Sequence, residues 1–168
     1  SQDMATRVVS NMKLEAIFTT VTSKKLPLSF LRYEIIAFSL VIIIDRSGSM
    51  YQHQFVIRDA EMSFVVKMLP DDKARIGSFG NFFGNRVVIS PPAFTSNRAE
   101  LIEVLQVPIG IGGASPVWIS IDQAITALSG LDGRRVVLIF SDGHDEPLPS
   151  MVPVKLKDVM ERARLTNT

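Results

Sequence analysis

The 168-residue sequence has no cysteine, which excludes disulfides, thiolate metal sites and cysteine catalysis together. It has no surplus of either charge: 18 Lys and Arg stand against 17 Asp and Glu. With no basic stripe interleaved with aromatics, nothing attracts nucleic acid or an anionic membrane surface. No apolar run reaches the ~20 residues that a bilayer-spanning helix needs. The longest, Ile35 to Ile44, is interrupted by Ser39 and follows Arg32, Tyr33 and Glu34. Internal repeats and low-complexity segments are missing. So is a visible signal peptide, although the polar start Ser1-Gln2-Asp3 is the kind of end that cleavage leaves. The glycine-rich stretch Gly110-Ile111-Gly112-Gly113 is not followed by Gly-Lys-Ser/Thr, so it is no phosphate-cradling P-loop.

What is there is apolar and β-branched. The chain is long enough for one domain with a full core and too short for two comfortable ones. A hydrophobic share of 46% and a mean hydropathy of +0.24 favour a largely buried sheet. The remaining chain is organised around Val41-Ile42-Ile43-Ile44-Asp45-Arg46-Ser47-Gly48-Ser49-Met50. An unbroken Val/Ile run suits a strand covered on both faces, as in a parallel sheet between helices. It stops at an aspartate followed by two serines at alternate positions. That loop lies at the carboxyl end of the strand, where open α/β sheets bind ligands. One carboxylate and two hydroxyls, on a backbone that Gly48 lets turn tightly, form half of a shell for a hard divalent cation. Mg2+ prefers oxygen, near-octahedral geometry and only one or two protein carboxylates.

Residues 1 to 13 read as an extended arm, and Lys13 to Thr22, rich in Ile, Phe, Thr and Val, as a strand. Ser23 to Pro27 is a turn. Residues 1–34 are therefore expected to form an N-terminal arm with an extra strand, and residues 35–168 the main domain. A central strand is expected from Glu34 to Asp45, with a break near Ser39. From Tyr51 to Leu69, Phe55, Met62, Val65, Val66 and Leu69 recur at helical spacings with polar residues between them. Pro70-Asp71-Asp72 ends this helix. Ala74 to Phe79 and Arg86 to Ser90 read as a hairpin through the turn Gly80 to Asn85, closed by Pro91-Pro92. Ser96 is expected to cap a helix through Gln106. A Gly-rich loop, Ile109 to Pro116, leads to a helix over Val117 to Leu128. Arg134 to Phe140 is a further strand, and a Pro-rich loop precedes a last helix from Lys155 to Arg164. This alternation predicts an α/β fold: a doubly wound, mostly parallel sheet flanked by helices.

Three loops are expected to meet at one sheet edge. The first holds Asp45, Ser47 and Ser49, the second Ser115, and the third Ser141-Asp142-Gly143 at the end of a strand neighbouring the first. Here the sequence resembles the von Willebrand factor type A (VWA) domain, also called the integrin I-like domain, from about Leu40 to Arg164. That family's metal-ion-dependent adhesion site opens on Asp-x-Ser-x-Ser, which Asp45, Ser47 and Ser49 match. Its second loop reads Gly-Gly-Thr-Pro-Leu-Tyr-Asp-Ala-Ile, and Gly113-Ala114-Ser115-Pro116-Val117-Trp118-Ile119-Ser120-Ile121 aligns with it. Ser115 stands in the place of the threonine, keeping the hydroxyl without the β-branch that stiffens its rotamer. The third loop carries an aspartate before glycine, which Asp142-Gly143 matches, and in the family that aspartate acts through a water. Residues 72–79 and 134–143 are also similar to the family. More narrowly, the chain looks like secreted bacterial proteins of this type, in which a strand like Glu15 to Val21 precedes the metal domain.

The resemblance implies a Rossmann-like VWA fold and a metal set of Asp45, Ser47, Ser49, Ser115 and Asp142. It implies Mg2+ as the cofactor, with Mn2+ or Ca2+ as alternatives, and a secreted or extracytoplasmic bacterial setting. Two departures stand out. The segment Ser23 to Ser39 is shorter and more irregular than the family's linker. The family also continues beyond the helix at Arg164 with one or two strands and a helix, so strand Arg134 to Phe140 is expected to present an open edge.

Each residue has a plainer reading beside this one. Asp45, Ser47 and Ser49 could form a solvated loop with the aspartate capping a helix, Ser115 could cap the helix at Val117, and Asp142 could be a turn residue. His53 reads as a helix-surface histidine. His144, Asp145 and Glu146 read as a polar loop or as a rim around the metal. Trp118 and the pair Phe82 and Phe83 read as packing or hairpin-tip residues. Three agreeing loops favour the metal.

The first functional expectation is a non-enzymatic, adhesion-type module whose cation accepts a carboxylate from a partner protein; neutral serine ligands leave such a cation electron-poor. The second is a self-assembling structural subunit, a homo-oligomer formed through sheet edges, with Lys13 to Thr22 as the pairing strand. The third is a metal-assisted hydrolase, which needs a general base at the site. His144 is the nearby candidate, and no nucleophile–base pair supports it.

Overall fold

The Val/Ile run forms β1, Phe38–Asp45, inside a sheet of order β3-β2-β1-β4. The computed structural model describes residues 37–80, 87–107 and 112–168. The arm and the strand expected at Lys13 to Thr22, the hairpin tip with Phe82 and Phe83, and Gly110 and Ile111 lie outside the described residues. β2 is Lys73–Phe79, β3 Val88–Thr95 and β4 Arg134–Phe140. β1 pairs in parallel with β2 and with β4, Ile44 lying opposite Ser78 on one side and Phe140 on the other. β3 runs antiparallel to β2. A 3-10 turn, Gly48–His53, leads into α1, Gln54–Lys67; α2 is Arg98–Gln106, α3 Val117–Leu128 and α4 Leu156–Thr166.

The pleat of β1 explains the layers. Successive side chains of a strand point to opposite faces, and here every one from Leu40 to Ile44 is apolar and buried. Leu40, Ile42 and Ile44 pack against Val65 of α1 and Met68 just after it, and against Leu101 and Leu105 of α2. Val41 and Ile43 pack against Val117, Ala124 and Leu128 of α3 on the other face. Each such side chain contributes ~1.5–3 kcal/mol on full burial, so the strand that is covered twice is the natural centre. Helices on both faces and a mostly parallel sheet are the doubly wound α/β arrangement that the strand–helix alternation predicts. α4 is held to α3 by an Arg162–Asp122 ion pair at 2.9 Å, and Arg135 of β4 donates to the carbonyl of Thr166.

Several expectations are corrected. β1 starts at Phe38 and runs unbroken through Ser39, which pairs with both Lys73 and Arg135. The helix expected from Tyr51 begins as α-helix at Gln54, and of its expected apolar positions Val65 lies in the core and Met62 packs against it. Glu61, Val65 and Met68 are buried, whereas Phe55 is 74% exposed and Val66 and Leu69 are also exposed. The face that meets the sheet is the one along which Glu61, Val65 and Met68 follow at spacings of four and three. β3 does not close at Pro91-Pro92 but continues to Thr95. As an edge strand among the described residues it tolerates prolines, and Arg75 bridges its irregular register by donating to the carbonyls of Pro91 (2.6 Å) and Ile89 (2.9 Å). The cap of α2 is Asn97 rather than Ser96. Its Oδ1 accepts from the amides of Ala99 and Glu100.

Candidate metal centre

The parallel register brings the ends of β1, β2 and β4 to one edge, and Asp45 lies at its middle. Asp45 is 2% exposed, so its carboxylate needs internal donors. It has three. Oδ1 accepts from the amide of Ser47 at 2.9 Å, while Oδ2 accepts from the Ser141 hydroxyl at 2.7 Å and the Ser115 hydroxyl at 3.4 Å. Oγ of Ser47 and Oγ of Ser49 are 3.1 Å apart, and the Ser49 hydroxyl bonds to Asp142. The five residues expected from the sequence, Asp45, Ser47, Ser49, Ser115 and Asp142, are therefore linked in one network from three loops.

Backbone contacts hold the loops in place. The amide of Arg46 donates to the carbonyl of Phe79 at 2.9 Å, and the carbonyl of Arg46 accepts from Gly112 in the second loop at 3.0 Å. Gly80, just after β2, has φ of +77° and packs against the Arg46–Ser47 peptide so closely that a Cβ there would overlap it. Ser115 and Glu146 exchange backbone hydrogen bonds of 3.0 and 2.8 Å, pinning the second loop to the third. Ser115 does not cap α3; Asp145 Oδ1 accepts from the amide of Trp118 at 3.2 Å instead. Trp118 is half-buried and packs against the core beneath α3, and His53 is exposed at the end of the 3-10 turn.

Electrostatics separate the two aspartates. Burial works to raise the carboxyl of Asp142, but the Ser49 hydroxyl, the His144 amide and the charge of His144 outweigh it and hold Asp142 below its ordinary range. The His144 amide donates to Asp142 Oδ1 at 3.0 Å. A second charged group lies behind the loop. Glu61 is 0% exposed, and burial raises its carboxyl from 4.5 to about 7 despite the opposing pull of Arg46, whose Nη2 lies 3.3 Å from Oε2, and of Arg58.

Ser141 is the residue that sequence reasoning saw but did not assign. Its signal was its position: it follows Phe140, the register partner of Ile44, so it stands abreast of Asp45. The donor set of two carboxylates and four hydroxyls consists of hard oxygens and suits Mg2+, Mn2+ or Ca2+. The 3.1 Å between Ser47 Oγ and Ser49 Oγ is close to the edge of an octahedron with ~2.1 Å metal–oxygen bonds, about 3.0 Å. Among the described residues no three His, Asp or Glu side chains gather, so the hydroxyls are what distinguish this site.

No family model matches the sequence, and no curated protein matches it. Solved structures share its fold. A von Willebrand factor type A protein from Catenulispora acidiphila matches 76% of this chain and 30% of its own, at 20% identity and a TM-score of 0.57. The pilus adhesin SpaC from Lactobacillus rhamnosus GG, in its open conformation, matches 67% of this chain and 15% of its own, at 16% identity and a TM-score of 0.56. Three N-terminal domains of the type V pili tip protein Mfa5 from Porphyromonas gingivalis match 66% of this chain and 20% of their own, at 19% identity and a TM-score of 0.54. This chain has a VWA-like fold, and it spans less than a third of the length of each of these chains.

Proposed function

We propose that the chain is a divalent-cation-dependent protein-binding module of the adhesion type, not an enzyme. The observation that carries this reading is the single hydrogen-bonded network of Asp45, Ser47, Ser49, Ser115, Ser141 and Asp142 at the carboxyl edge of the sheet. Asp45, Ser47, Ser49 and Ser115 would hold Mg2+, with Mn2+ or Ca2+ as alternatives, and Asp142 would act from the rim. When bound, the cation supplies a positive centre that accepts a carboxylate oxygen from a partner protein. The chain's part is to keep the site electron-poor: one buried carboxylate gives affinity, and neutral hydroxyls leave charge to spare. The site's hydroxyls bond to carboxylates and to one another rather than to an imidazole, which favours binding over hydrolysis.

A pilus adhesin and a pili tip protein with the same fold support an adhesion role and an extracytoplasmic setting. Among the described residues no helix is long and apolar enough to cross a membrane. Titration of the 168-residue chain with Mg2+ and Mn2+ by calorimetry, before and after EDTA, is the test. Heat of binding that EDTA abolishes supports the module; its absence for both ions removes the metal from the account.

Self-association through a sheet edge keeps one observation in its favour. Among the described residues β4 pairs with β1 alone, and its apolar side chains from Val136 to Phe140 are only half-buried. Deleting residues 1–22 tests the expected pairing strand. A truncated chain that stays soluble, folded and unchanged in size would end this second reading.

A further inference from the structure

Arg46 sits between two proposed ligands, Asp45 and Ser47, yet points no charge at solvent. Its side chain is 11% exposed and reaches back to Glu61 of α1, 3.3 Å away and fully buried. Among the described residues, Nε of Arg46 and Oε1 of Glu61 have no further hydrogen-bond partner. A buried ion pair with unpaired atoms is poor support for a fold, because desolvation of both charges offsets their attraction, and apolar replacements of like volume are often neutral or stabilising. The placement of this pair suggests a different use. Glu61 stands one turn before Val65, which is locked in the core, so it is a fixed point. Arg46 is where the loops cross: its amide is bound by β2 and its carbonyl by Gly112 of the second loop.

We propose that Glu61 is a positioning residue for the metal centre, anchoring the Arg46 guanidinium to α1 and thereby fixing the peptide that carries Asp45 and Ser47 against the second loop. This rests on the metal reading for its consequence, while the ordering of the loop can be measured without metal. Four amides report it: Arg46 to Phe79, Ser47 to Asp45, Met50 to Ser47 and Gly112 to Arg46.

The experiment compares the full chain, at pH 8 where Glu61 is ionised, with Glu61→Gln and with the double variant Arg46→Met/Glu61→Leu, reading amide exchange by NMR, unfolding temperature, and Mn2+ affinity by calorimetry. In both variants the four amides should exchange at least about tenfold faster while the amides of β1 and α1 keep their protection. Mn2+ affinity should fall by about tenfold or more, the loss typical when a group supporting a ligand is removed. The double variant should unfold at no lower temperature than the wild type. Should Glu61→Gln fail to fold, the double variant carries the same readouts. Unchanged exchange at the four amides in a folded variant overturns the proposal, as does unchanged Mn2+ affinity or a loss of protection spread over the whole sheet. If the wild type takes up no Mn2+, the metal reading falls, and faster exchange confined to the four amides still upholds Glu61 as the anchor of the loop.

Discussion

β1 and β4 lie side by side in parallel, and each ends in a loop with an aspartate and hydroxyls, but the two loops do different work. β1 is flanked by strands on both sides and by helices on both faces, and its terminal Asp45 is buried with three hydrogen-bond donors. β4 has one paired neighbour among the described residues, its side chains are half-buried, and Asp142 is exposed with support from Ser49 and His144. The same local pattern yields an organising carboxylate in one place and a rim carboxylate in the other. The contrast comes from what surrounds each strand. Burial obliges Asp45 to draw donors from the neighbouring loops, whereas an exposed Asp142 can rely on water.

The contrast is broken most sharply by removing each aspartate in turn. Asp45→Ala should lose divalent-cation binding altogether in calorimetry. It should also destabilise the fold by about 1–3 kcal/mol, since the Ser115 and Ser141 hydroxyls and the Ser47 amide lose their acceptor. Asp142→Ala should weaken binding by about tenfold, in the range for a supporting group, and leave the unfolding temperature nearly unchanged. Equal losses in the two variants would mean that the strands are equivalent and the site is misassigned.

A pH series sharpens the comparison next. Burial raises the Glu61 carboxyl from 4.5 to about 7 against the pull of Arg46, so the folded chain keeps a proton that the unfolded chain releases over that window. The stability this group contributes is present below about pH 4.5 and is lost as pH rises towards 7, by about 3 kcal/mol. Asp142, held below its ordinary range, has the opposite sign: its contribution is present above the usual aspartate pKa and is lost as pH falls. Thermal unfolding from pH 4.5 to 7 should slope downward in the wild type and flatten in Glu61→Gln. An unchanged slope in the variant would place the proton elsewhere.

Smaller effects are expected at the loops. Gly80→Ala forces a side chain into a left-handed backbone position, costing about 1–2 kcal/mol, and pushes on the Arg46–Ser47 peptide of the β1 loop. Chemical denaturation should show that loss together with weaker Mn2+ binding; a loss of stability with intact binding would separate Gly80 from the site. Ser115→Ala removes one neutral oxygen donor and should lower Mn2+ affinity by less than Asp45→Ala does, with little change in unfolding temperature.

Much of the fold was legible because it follows from short-range pattern. The helix Val117–Leu128 and the strand Arg134–Phe140 have the bounds expected from apolar spacing and flanking glycines, and the Val/Ile run could hardly be anything but a twice-covered strand. The motif loops were legible for the same reason: Asp-x-Ser-x-Ser at a strand end is a local signal. The inward face of α1 was not. Spacing says which residues share a face, but not which face meets the sheet: Phe55 and Val66 are exposed while Val65 and Glu61 are buried. Ser141 needed the register of β1 against β4 before its hydroxyl could be set beside Asp45.

The sequence by itself determined the order of strands and helices, the buried centre at Val41 to Ile44, and the set of oxygen-bearing side chains, because each depends on residues a few positions apart. Only the tertiary structure decided that Glu61 is buried beside Arg46, 15 residues away in the chain, and that Asp45 draws its donors from Ser115 and Ser141, 70 and 96 positions off. A charged side chain enters the interior only when a distant partner meets it there, and no local propensity records that meeting.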